Sequence, residues 1–162
     1  MRLLVVAASA ALLLAPAVAN AHFAWLTQAV RDAGFAVTTP APLRPLPPRP
    51  GDWPGTRLYG ASEGDTAYLV SVGRVPSPQA SDDFAADQLV AMTTRDRVLV
   101  RKPRWVAPGE REYVAVKDGL TSRIRIKVSG DRVIIASVAD GPAVHGPKAR
   151  RFLGSLRFLP VG

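Results

Sequence analysis

Between residues 120 and 138 the chain spells a β-hairpin more firmly than it spells anything else. Within the strand predicted over 120–128, basic and apolar residues alternate strictly from Arg123 on, so Ile124, Ile126 and Val128 share one face and Arg123, Arg125 and Lys127 the other. Ser129-Gly130-Asp131 supplies a tight turn, and the returning run 133–138 is almost wholly apolar, the pattern of a strand covered on both faces. A strand of that kind needs a layer on each side. The pattern therefore predicts a sheet with 133–138 at its centre and helices packed on it.

The rest of the chain supplies the parts. Strands are predicted over 34–39, 56–60, 66–74, 98–101 and 111–117, and in 66–74 Tyr68, Val70 and Val72 alternate with Ala67, Leu69 and Ser71. Ser81 followed by Asp82 and Asp83 reads as the N-cap and acidic first turn of a helix running to about Thr94, its core stripe Ala85, Leu89 and Met92, with Phe84 beside it. A closing helix over 148–156 would bury Ala149, Phe152, Leu153 and Leu156. Residues 25–33 show no clear period. Seven prolines within 40–54 exclude helix and central strand and predict an extended, stiff path over the surface. Strands joined by hairpins, with two helices, place the chain in the α+β class, with a mainly antiparallel sheet flanked by helices.

Residues 1–21 have the grammar of a cleaved export signal: Arg2, an apolar run over 3–14 broken only by Ser9, Pro16, and small residues at Ala19 and Ala21. The run falls short of the ~20 apolar residues that span a bilayer, and no later segment reaches that length. Residues 22–162 are then one domain, periplasmic or secreted and not membrane-spanning after cleavage. With no cysteine in the 162 residues, disulfides and thiolate metal sites are excluded, and the fold rests on its core. Charge divides unevenly. Residues 22–92 carry five basic and seven acidic side chains, residues 93–162 fifteen and six. A basic half on an exported chain points to an anionic envelope component or an acidic protein as partner, and away from nucleic acid.

Four segments carry a family likeness: Gly34-Phe35-Ala36-Val37-Thr38-Thr39-Pro40-Ala41-Pro42, the Tyr68-Leu69-Val70 strand, Pro108-Gly109-Glu110-Arg111-Glu112-Tyr113, and Arg151-Phe152-Leu153-Gly154-Ser155-Leu156-Arg157-Phe158. With them the chain resembles exported bacterial proteins related to the PsbP and Mog-type fold, over nearly all of 25–159. The resemblance implies an antiparallel sheet flanked by helices, in a group whose better-known members are non-catalytic. PsbP proteins assist the photosynthetic oxygen-evolving complex and Mog proteins bind the GTPase Ran. No functional residue of either group maps onto a position here, so neither role is carried over.

Catalytic chemistry has few places to reside. There is no nucleophile elbow, phosphate-binding glycine loop, His-Glu-x-x-His or calcium loop. Asp82, Asp83 and Asp87 cluster on the first helix, where capping and a solvated face account for them. The favoured reading is a non-catalytic accessory or binding domain without cofactor, docking an anionic partner through Arg123, Arg125 and Lys127. Glu110 and Glu112 on an adjacent strand are the neighbours able to neutralise that face. A second reading is a copper protein: a mature chain starting at His22 offers amine and imidazole nitrogens together, and His145 would complete a three-nitrogen set. An enzyme with an unrecognised site is the third.

Overall fold

The computed structural model describes residues 24–48, 52, 54–75, 81–139 and 142–160. The expected export signal, His22, part of the proline tract, and Pro76 and Pro78, which would end the strand over 66–74, lie outside the described residues. Among the described residues two antiparallel sheets and two α-helices form. The larger has seven strands in the order β3-β4-β5-β9-β8-β7-β6: β3 (Arg44–Leu46), β4 (Arg57–Glu63), β5 (Thr66–Arg74), β6 (Val98–Ala107), β7 (Glu110–Lys117), β8 (Leu120–Ser129) and β9 (Arg132–Ala139). The smaller is β1 (Leu26–Val30), β2 (Phe35–Thr39) and β10 (Arg157–Phe158), with β2 in the middle. The helices are α1 (Asp82–Thr93) and α2 (Pro147–Ser155).

The apolar run 133–138 lies in β9, fourth of seven, paired with β5 on one edge and β8 on the other. Its side chains alternate between two cores. Ile134, Ala136 and Val138 join Tyr68, Val70 and Val72 of β5, Phe35 and Val37 of β2, and Phe152 and Leu153 of α2. Val133 joins Ile124, Ile126 and Val128 of β8, Tyr113 of β7, and Ala85, Ala86, Leu89 and Val90 of α1. Hydrophobic burial thus covers one face of β9 with β2 and α2, while on the other face α1 packs on β7 and β8 and reaches β9 through Val133.

Several boundaries differ from those the sequence predicts. The segment without a period contains β1, an outer strand whose side chains are mostly exposed, so no apolar alternation marks it. Gln28 holds it instead, accepting from the Leu43 amide at 2.9 Å and donating to Thr39 Oγ1 and the Ala41 carbonyl. The proline tract supplies β3, on the outer edge of the large sheet, where Pro45 needs no outward donor. Strand 98–101 continues as β6 to Ala107, because Pro103 is tolerated on an edge strand through register shifts on either side. Ser81 caps α1 as expected, accepting from the Phe84 amide at 3.1 Å. The buried stripe is Ala85, Ala86, Leu89 and Val90, whereas Phe84 and Met92 are 49% and 39% exposed. Two adjacent alanines let the helix approach the strands closely, which turns Phe84 and Met92 away from the contact.

Candidate functional site

On the face of the large sheet that carries α2, the basic side of β8 meets the acidic positions of β7 in register: Lys127 opposite Glu110, Arg125 opposite Glu112, Arg123 opposite Val114. Glu112 is 3% exposed and takes three guanidinium groups. Arg104 from β6 and Arg123 each reach Oε1 at 2.7 Å, while Arg125 grips Oε2 with Nη2 at 2.6 Å and Nε at 3.0 Å. Burial pushes this carboxyl up, but the hydrogen bonds from Arg104, Arg123 and Arg125 outweigh it and hold the pKa at about 2, against an ordinary 4.5. Arg125 also donates to the Leu153 carbonyl at 3.0 Å, tying the end of α2 to the sheet. Lys127 pairs with Glu110 at 2.6 Å.

Exposure separates the roles of these cations. The side chains of Arg123 and Arg125 are 13% and 14% exposed and that of Lys127 25%, whereas Arg104 stands 62% exposed. The three residues singled out by strand alternation do share one face, with the acidic neighbours that the sequence offered. Arg104 was missed because its strand was expected to end at residue 101.

On the opposite face the α1 carboxylates act as staples. Asp82 accepts from the Gly130 amide at 3.0 Å, and Asp83 from the Gly109 amide at 2.9 Å, so the helix start is fastened to two hairpin turns. Arg111, 8% exposed, donates to Asp87 at 2.6 Å and to Asp83 at 2.8 Å. The hydrogen bond to Asp87, ahead of that to Asp83, raises its pKa further. These acids thus do more than cap a helix and face water.

Beyond α1 lies a cavity of about 810 Å³. The helix packs on β7 and β8 and leaves the β5–β9 part of that face without helical cover. The floor is a checkerboard: Leu69 and Ile124 flank Ser137 in register, and Ser71 lies beside Ile135. Thr93 and Tyr113 form one wall, their hydroxyls 2.6 Å apart. Burial pushes the Tyr113 pKa up. Arg97 lines the same space from the loop after α1. The serines were legible as inward positions of alternating strands, but Arg97 sits in a loop and has no period to reveal it.

Of the two histidines, His22 lies outside the described residues. His145 is exposed at the end of a short 3-10 turn (Pro142–His145), its carbonyl accepting from Arg150 at 2.9 Å. Among the described residues no three His, Cys, Asp or Glu side chains group as metal ligands, and no helix is long and apolar enough to cross a membrane.

No family model matches the sequence, and no curated protein matches it. Among solved structures, a crystal structure from Bacteroides thetaiotaomicron aligns at 14% identity over 78% of this chain and 45% of its own, with a TM-score of 0.46. The solution structure of cyanobacterial PsbP (CyanoP) from Synechocystis sp. PCC 6803 aligns over 90% of this chain and 98% of its own, at 12% identity and a TM-score of 0.55. The shared α+β architecture, with its antiparallel sheet between helices, makes the fold of this chain PsbP-like.

Proposed function

We propose that the chain is an exported, periplasmic or secreted, non-catalytic accessory or binding domain that docks an anionic partner through the basic face of β6 to β8. The observation that carries this is the count of charges at Glu112, where three guanidinium groups share one carboxylate and two positive charges are left over. Like charges this close are tolerated when an anion or water screens them. The PsbP-like fold supports an accessory or binding role in general terms. Arg123 and Arg125 set the field from beneath, and contact falls to Arg104 and to its exposed neighbours Arg101 and Lys102.

The test avoids Arg123 and Arg125, since glutamate there would crowd a buried carboxylate. Binding of the exported protein to phosphatidylglycerol vesicles and to alginate is compared with that of Arg101→Ser/Lys102→Ser/Arg104→Ser, at low salt and at about 0.15 M, where the Debye length is ~8 Å. Wild type should bind, weaken with salt, and bind more tightly than the variant. Equal binding by both, or none by either, overturns the reading.

A further inference from the structure

We infer that the cavity beside α1 binds a monoanionic amphiphile, a carboxylate carried on a hydrocarbon body. This goes beyond the docking reading, and it uses none of the residues of the docking face.

Size comes first. At about 810 Å³ the cavity falls within the ~300–1,000 Å³ range of small-molecule sites. The floor explains why it stays open. A sheet face meant for a helix would be apolar throughout, whereas here Ser71 and Ser122 are buried at 9% and 6% exposure and Ser137 sits between Leu69 and Ile124. Small hydroxyls set among Leu and Ile recess the surface and leave donors for a mostly apolar guest.

Arg97 supplies the charge. Its side chain is 25% exposed, and its Nε is buried without a hydrogen-bond partner. The adjacent carboxylate, Asp96, comes only to 3.9 Å and is itself hydrogen-bonded by Lys117. That N–H is sealed from the cavity as well as from water, so a guest meets the outer nitrogens of the guanidinium, for which a carboxylate is the best-fitting acceptor. Arg95, Arg97 and Lys117 are balanced around the cavity by Asp52, Asp96 and Asp118. That balance disfavours a polyanion such as a nucleotide and suits one negative charge on an apolar body.

The experiment titrates the full exported chain with decanoate and with 1-decanol, by calorimetry below the micellar concentration. Decanoate should bind at least about tenfold more tightly than the alcohol, the worth of one charge-assisted hydrogen bond. Arg97→Gln should erase that preference while the alcohol still binds. Ser137→Phe and Leu69→Trp, which fill the floor and whose folding is checked by circular dichroism, should abolish both. Arg101→Ser/Lys102→Ser/Arg104→Ser should bind decanoate like wild type, which separates failure here from failure of the docking reading. Absence of decanoate binding to wild type, binding that survives both filled floors, or an unchanged preference in Arg97→Gln overturns the inference.

Discussion

Gly34 and Arg132 share one small space: a Cβ on the glycine would stand 2.6 Å from Nη2 of the arginine. Gly34 also has φ +72°, a left-handed conformation that L side chains resist. Through that gap Arg132 donates to the Gly34 carbonyl and, at 3.0 Å, to the Leu159 carbonyl, with its guanidinium 4.7 Å from the Phe158 ring. One side chain of β9 therefore fastens the small sheet to the large one. Gly34→Ala should cost about 2 kcal/mol, from backbone strain and a displaced guanidinium. In an Arg132→Ala background the cost should fall to the backbone part alone. Urea midpoints of the four proteins in this cycle decide it, and equal costs in both backgrounds would remove Arg132 from the account.

Phe152→Ala should destabilise by about 3–5 kcal/mol. Phe152 is 0% exposed and meets the Tyr68 ring edge-on at 5.2 Å between centroids, so its loss opens a void between α2 and β5. Thermal unfolding measures it. A midpoint close to wild type would mean that α2 is not docked on this core.

Glu112→Gln should be among the most damaging single changes, at about 3–5 kcal/mol, because it leaves partly buried guanidinium groups without their counter-charge. Its pH signature follows from the depressed pKa. The ionised carboxylate contributes its full stability above the unfolded value near 4.5, and the contribution is lost as pH falls toward about 2. Wild type should therefore lose about 3 kcal/mol more than Glu112→Gln between pH 5 and pH 2. Parallel acid profiles would contradict this.

The exported protein should have the mass of residues 22–162. Intact mass spectrometry of periplasmic material tests it, and a mass retaining residues 1–21 would count against export with cleavage.

How legible all this was depended on periodicity. The β8–β9 hairpin could be read because Ile124, Ile126 and Val128 repeat at every second residue, and the central place of β9 followed from an apolar run that serves two cores. β1 and β10 could not, since one is held by Gln28 through polar bonds and the other has two residues. The site divides the same way. The shared face of Arg123, Arg125 and Lys127 was visible, while their differing exposure depends on where α2 and β6 lie. Arg97 joins Tyr113 only in three dimensions.

The rims of the sheets carry a consequence for pairing with other chains. At one border of the large sheet Pro103 lacks an amide hydrogen, Lys102 and Arg104 flank it, and three breaks in register interrupt the strand. At the other, β3 is three residues long and contains Pro45. Neither border can serve as a template on which a stranger's main chain zips into place. These two borders of the large sheet should therefore add a foreign strand poorly, which leaves β1, the outer strand of the small sheet, as the edge where another main chain could pair.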